Sequence, residues 1–508
     1  MKTLILLLLN ISVLLSQFTF YTAPTFKEPL VMTTTEKINS ELINGTTVKV
    51  FKLQVIGKDF INIFGLTQDG VSIMLDMKFI GKFSFNEINN IDKAWNKNQL
   101  VSGTFTNLIK KGLQYDLRND IHDESLNYLN TLNNNNRFFE DSYIEDYLYT
   151  LLNKIHPGTL QDRRPGNIYI KILKDTDPQA YVLPNGCIIV TTGLLSTIQS
   201  EDELVGVLAH EVAHFVLDHA VLNYNHEIDL KEKADFWASF ATIAAASADV
   251  YLTMNNKNHV PGILTTSTAI IASVISNEAL KRLGIKYSQE QELMADATAI
   301  EILEVLKYNK LGLSSLLQRI KNHEIITGNY LALSSNGSHP SIDTRIFVAG
   351  KVDKPEMFIQ PSYLKKVSKI NTYNAWIGLW SFAHHQAAIE LANRNIDNGV
   401  GTEHDYIVKA VVKRRLSNTK ESNLEVIKLL EKAKNVNVKP FILIDKEEGI
   451  TFMRLNDKIE AKKSFQAYLS SLIEIRDNNN VKEIINKNQW LEDEIEWTRG
   501  MIYKADSL

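Results

Sequence analysis

The sequence predicts an α+β protein: a core of helices plus a small sheet, a small β-rich domain ahead of it, and an α-helical repeat region behind. Three observations predict this. Short β-branched and aromatic runs separated by Gly-containing turns fill residues 47–110. From about residue 140 the texture becomes helix, strand, hairpin, then an apolar-periodic helix carrying His210-Glu211-Val212-Ala213-His214. After Pro355 the pattern is helical to the end.

At the start, Lys2 and the apolar stretch Leu4–Leu15 precede Ser16 and Gln17, the pattern of a signal peptide over residues 1–17. Leu14 is large for the −3 position, so an uncleaved membrane anchor is the runner-up, although the apolar core is short for a span. The expectation is an exported protein, periplasmic or extracellular, with membrane association as an option. A single cysteine, Cys187, excludes an internal disulfide and a cysteine-rich zinc site, so any metal must be held by His and carboxylate. A formal net charge of -4 gives no case for nucleic acid as a partner.

Residues 24–44 read as extended or linker-like, leading into strands at Val48–Val55, Phe60–Leu66 and Val71–Met77; residues 24–125 are expected to form the β-rich or α+β domain. The expected core spans 140–350. It opens with a helix at Tyr143–Ile155 and a strand at Ile168–Leu173. A hairpin follows, in which Pro184-Asn185-Gly186 joins Ala180–Leu183 to Cys187–Thr192. Phe236–Met254 and Val260–Ser276 are apolar but rich in Ala, Thr and Ser; they are read as a buried helical hairpin, with segments that touch or enter a membrane as the alternative. In residues 370–508, Gly449, Phe452, Ala461 and Phe465 fall at tetratricopeptide spacing. The pairs Val426/Leu430 and Ala388/Ala392 echo Ala461/Phe465 upstream. Stacked helical hairpins of this kind build a concave surface for peptides or partner proteins.

Two imidazoles at i and i+4 lie on one helix face and can bind one zinc ion, and the carboxylate between them can act as general base on its water. His210, His214 and Glu211 have these roles. Acidic Glu201, Asp202 and Glu203 suit the first turn of this helix. A third ligand is needed. The extended motif with Gly and a third His fails, because Leu217 and Ala220 stand at those places. His219, one residue off, is expected further round the same helix in a structural or supporting role. Glu292 and Asp296, four apart behind the N-cap candidate Ser288, offer one carboxylate for zinc and one for the free N–H of a ligating histidine. Glu290, Glu227 and Glu232 compete less well, since none has an acidic residue four positions on.

The segments Leu183–Leu195, His210–His214, Tyr287–Asp296 and His339–Ile346 occur in the order found in the HtpX/CAAX-prenyl-endopeptidase family of zinc metalloproteases, which residues 140–350 resemble. With an N-terminal leader and helical repeats, the architecture is closest to BepA-like periplasmic proteases with a tetratricopeptide-like tail. The resemblance implies a gluzincin-type core and one Zn2+ per chain on His210, His214 and Glu292. It also implies Glu211 as base, Asp296 as a supporting carboxylate, and His339 and Arg345 near the metal. His339 then has three readings: oxyanion donor, occupant of the open zinc position, or structural residue. The chain departs from the family at Gln289, where Arg is frequent, and at Gln179-Ala180-Tyr181, where Asn-Ala-Phe is common.

The expected activity is zinc-dependent endopeptidase hydrolysis of protein or peptide substrates in quality control of the cell envelope. The strand Gln179, Ala180, Tyr181 and Val182 is expected to align an extended substrate by backbone pairing. The alternative is a chaperone-like binding protein that captures an envelope partner through residues 370–508 with little or no proteolysis.

Overall fold

A computed structural model of the chain describes residues 20–22, 26, 28–56, 60–104, 113–156, 168–223, 287–327, 341–350, 352, 355–380, 385–477 and 487–507. The expected leader at 1–17, the apolar segments 236–254 and 260–276, and Glu227, Glu232 and His339 lie outside the described residues.

Six strands form the first sheet: β1 (Phe20–Thr22), β2 (Leu30–Thr34), β3 (Thr47–Ile56), β4 (Phe60–Thr67), β5 (Ser72–Asp76) and β6 (Phe83–Asn86). All pairs are antiparallel, in the order β5-β4-β3-β2-β6, with β1 also on β3. Alternation places Leu30, Met32, Val48, Val50, Ile63, Ile73 and Leu75 in one buried cluster. The β4–β5 turn uses Gly70 at φ 77, a conformation that costs glycine little. Residues 24–44 are therefore not a simple linker, because β2 sits inside the sheet between β3 and β6. Its alternating burial, with Leu30, Met32 and Thr34 inward, is too short to stand out in sequence.

Helix α1 (Ile91–Ser102) is capped by Asn90, whose Oδ1 accepts from the Lys93 amide at 2.9 Å. Leu100 packs with the sheet, while Ala94 and Trp95 join the main core, and Trp95 Nε1 donates to the Ile155 carbonyl at 2.8 Å. Next, α2 (Leu113–Asn134) places Tyr128 against Tyr181, hydroxyl to hydroxyl at 2.8 Å. This helix packs on the second sheet, so the expected boundary at 125 falls inside it.

The core proper begins with α3 (Ser142–Ile155), capped by Asp141. The second sheet has β7 (Tyr169–Leu173), β8 (Ala180–Val182) and β9 (Cys187–Thr191), ordered β7-β9-β8. β7 runs parallel to β9 and β8 antiparallel to it. Gly186 turns the hairpin at φ 88, and Asn185 Oδ1 accepts from the Cys187 amide. Every residue of β9 is buried, which explains its unbroken apolar run as a central strand.

Then follow α4 (Thr192–Thr197), α5 (Glu201–Val216), α6 (His219–Asn223), α7 (Gln289–Val305), α8 (Gly312–Thr327) and α9 (Ile342–Ala349). α8 crosses α5 closely: a Cβ on Gly206 would meet the Leu313 backbone nitrogen at 3.0 Å, and one on Gly312 the Asp202 carbonyl oxygen at 2.5 Å. α10 (Pro361–Lys366) and α11 (Ser368–Leu379) follow, and Tyr363, Leu364, Val367 and Ile370 share the core of α5. The core thus runs past the expected end at 350.

The remaining helices are α12 (His385–Asp397), α13 (Glu403–Leu416), α14 (Lys420–Lys434), α15 (Leu443–Arg454), α16 (Lys458–Asp477) and α17 (Lys487–Ser507); each packs on the next. Ala388, Ala392, Val426, Leu430, Ala461 and Phe465 are all buried between them. A Cβ on Gly449 would meet the Phe465 ring at 2.6 Å, so glycine lets α15 and α16 approach. Among the described residues, no helix is long and apolar enough to cross a membrane.

Candidate active site

The site is built on α5. Ser200 caps it, its Oγ accepting from the Glu203 amide at 3.2 Å, and three acidic residues occupy the first turn. The helix is buried from Glu203 to Val216, because it runs between the second sheet and helices α7 and α8. That position explains why apolar residues surround the polar motif and why the motif side chains are shielded from water.

His210 and His214 project from one face with their Nε2 atoms 3.0 Å apart. Helix α7 brings Glu292 opposite, with Oε2 3.4 Å from His210 Nε2 and 3.9 Å from His214 Nε2. A capping box on Ser288 and Gln291 fixes the start of that helix, so Glu292 enters in its first full turn. One ligand-type atom from each of His210, His214 and Glu292 lies within 4.8 Å of the others, and all three residues are buried.

One turn on, Asp296 Oδ1 accepts from His210 Nδ1 at 2.8 Å. Arg345, from α9, grips the same carboxylate with two nitrogens at 2.9 and 2.7 Å and reaches Glu292 at 3.3 Å. Burial alone would raise the Asp296 pKa, but the Arg345 charge and the His210 hydrogen bond outweigh it and lower the value. At His210, burial and Arg345 both disfavour the charged ring; hydrogen bonds to Asp296 and Glu292 reverse this and raise it to about 9. Burial holds the ring of His214 well below the usual histidine range, with the His210 charge adding to the effect.

Glu211, next to His210 on α5, is buried as well. Burial pushes its carboxyl up to about 7, while its neighbours His210 and Arg345 and the backbone amide of Val182 pull it down. Its Oε2 has no hydrogen-bond partner among the described residues. Gln179 and Ala180–Val182 lie beside it, on the edge strand of the second sheet. The Leu183 amide bonds the Cys187 carbonyl, and the Gln179 carbonyl accepts from the Thr191 amide. By alternation Ala180 and Val182 present their backbone groups at the outer edge, and Glu211 takes the Val182 amide. Tyr181 instead turns inward to Tyr128.

Two further side chains contact the ring of His214. Tyr287 stacks on its ring, centroids 3.7 Å apart and planes 15° apart. His219 is not further round the same helix. Helix α5 ends at Leu217, Asp218 adopts φ 57, and His219 starts α6, turned back so that its Nδ1 lies 2.8 Å from His214 Nδ1. The residue type at 287 and the five-residue spacing to His219 were visible, but the helix break that joins them to the site was not.

The donor set fits a zinc ion: two ring nitrogens that face each other, an opposed carboxylate and a buried acid beside them, with one oxygen unpaired among the described residues, match the His, His, carboxylate and general-base pattern of zinc hydrolases. Residues 158–351, which carry all of these groups, match the model of Peptidase family M48.

Over this segment the chain is similar to Peptidase family M48.

The chain is 26% identical over 264 residues to the mitochondrial metalloendopeptidase OMA1 of Schizosaccharomyces pombe, covering 48% of this chain and 67% of that protein. It is 27% identical over 139 residues to the metalloprotease YcaL of Escherichia coli, covering 26% of this chain and 43% of that protein. A protease HtpX homolog of Streptococcus gordonii is 26% identical over 167 residues, covering 30% of this chain and 52% of that protein. These matches span from under half to about two thirds of the relatives' own length.

Proposed function

We propose that the chain is a zinc-dependent endopeptidase, with one zinc held by His210, His214 and Glu292. The observation that carries this is the buried meeting of those three side chains on two helices, with Glu211 alongside. Zinc, when bound, supplies Lewis acidity toward water and the scissile carbonyl. Glu211 accepts the proton of the attacking water on its carboxylate and returns it to the leaving amine. Burial raises the Glu211 carboxyl, which favours holding the proton that it must deliver to the leaving amine. Asp296 fixes the tautomer and ring plane of His210, and Arg345 holds Asp296 and Glu292 in place.

The outer edge of β8 aligns the substrate. An extended peptide pairs with the backbone groups of Ala180 and with the Val182 carbonyl, in a mode that reads backbone more than side chain. Substrates are therefore segments that can be drawn out as strands, as in misfolded or unassembled proteins. Quality control in the cell envelope fits the leader-like residues 1–17, and the helices from α11 to α17 would offer such clients or a partner a surface. His339 keeps its three readings: oxyanion donor, occupant of the open zinc position, or structural residue.

The test is zinc content and casein cleavage for the wild-type chain and for Glu211→Gln and Glu292→Ala. The account expects one zinc per chain and cleavage in the wild type. It expects zinc without cleavage in Glu211→Gln, and loss of both in Glu292→Ala. Stoichiometric zinc with cleavage unaffected by Glu211→Gln would overturn the mechanism. Zinc without cleavage in any variant would favour the binding-protein reading.

A further inference from the structure

The two histidines of the site are held by unlike partners. His210 has the usual one, a carboxylate, at its Nδ1. His214 has a second imidazole: the Nδ1 atoms of His214 and His219 are 2.8 Å apart, and both residues are buried. A contact of two ring nitrogens at this distance needs one proton between them. His214 Nε2 faces His210 and Glu292, so a metal ligand there must be deprotonated at Nε2 and protonated at Nδ1. His219 must then accept at Nδ1 and carry its own proton on Nε2.

We propose that His219 is the positioning residue of His214: it accepts the Nδ1 proton, selects the ligating tautomer and holds the ring at its metal-facing angle. The inference rests on the zinc reading of the same site. Two features of the fold support it. The break at Asp218 lets the chain turn, because a residue five positions on in an unbroken helix would point about 140° away from His214. Tyr287 clamps the other degree of freedom, since its stacked ring blocks tilting of the imidazole plane while His219 blocks rotation within it. A neutral acceptor also avoids a second buried anion beside Glu211 and Glu292, where Asp296 already needs Arg345.

The test compares zinc affinity, by competition with a chromogenic chelator, for the full chain and for His219→Asn and His219→Leu. Both replacements fill similar space, but only asparagine keeps an acceptor. His219→Leu is expected to bind zinc about 10- to 100-fold more weakly, with His219→Asn recovering most of the loss. The absorption bands of the cobalt-substituted protein should shift in His219→Leu and return toward wild type in His219→Asn. Wild-type affinity in His219→Leu would overturn the inference and leave the peptidase reading intact. Equal losses in both variants would also overturn it, since the acceptor would then be irrelevant. A wild-type chain that takes up no zinc would bring down the peptidase reading and this inference together.

Discussion

At His210, the hydrogen bonds that the ring donates to Asp296 and Glu292, which favour its charged form, also set a condition for loading the site. With its pKa raised to about 9, His210 carries a proton at neutral pH that a metal ion must displace. Zinc affinity should therefore rise about tenfold per pH unit below that value and level off above it. Calorimetry in buffers of different ionisation enthalpy should show about one proton released per zinc at pH 7.5; no release would contradict this reading of His210. Asp296→Asn should weaken zinc binding by about 10- to 100-fold, because it removes the anion that orients His210 and leaves Arg345 half-paired. Sequence made much of this visible. His210, Glu211 and His214 declare themselves by spacing, and the four-residue interval from Glu292 to Asp296 separates them from other carboxylates. Tyr287 and the turned-back His219 could not be read, since stacking and a left-handed Asp are tertiary facts with little local signature.

Among the elements, the close crossings make the sharpest predictions. Gly449→Ala would drive a methyl into the Phe465 ring and should cost about 1–3 kcal/mol in a urea or thermal melt. An unchanged midpoint would show that α15 and α16 can move apart freely. Asp218 connects α5 to α6 at φ 57, so Asp218→Gly should preserve zinc affinity while the β-branched Asp218→Val should lower it. Equal affinity in the two variants would show that the turn does not depend on that conformation. The hairpin at Pro184-Asn185-Gly186 and the strands near 48, 60 and 72 were legible, because turn chemistry and alternation are local. β2 was not, being five residues long within a Thr- and Lys-containing stretch. The pairing of β7 with β9 was equally hidden, since a parallel partner leaves no mark at either strand.

Across the whole molecule, the helical region is tied to the catalytic core by buried polar contacts. Tyr363 donates to the Leu195 carbonyl, Asn374 Nδ2 to Ser196 Oγ at 2.8 Å, and Arg394 to the Ser196 carbonyl. Gln360 holds the first turn of α5 by accepting from the Glu201 amide and donating to Asp202. Removing residues 368–508 should therefore lower the melting temperature of the remaining core and weaken zinc retention, because Ile370, Asn374 and Arg394 go with it. Equal melting of the truncated and full chains would show two independent units. This coupling was out of reach of the sequence, where the all-helical pattern after Pro355 suggested a boundary, while packing carries the core to Ile370. The account as a whole stands on a metal between α5 and α7. The most direct measurement is anomalous X-ray scattering at the zinc edge from crystals of the zinc-loaded chain. One peak about 2.0–2.2 Å from His210 Nε2, His214 Nε2 and a Glu292 carboxylate oxygen is the predicted result. A zinc peak elsewhere, or bound zinc that leaves Glu292 uncoordinated, would contradict it.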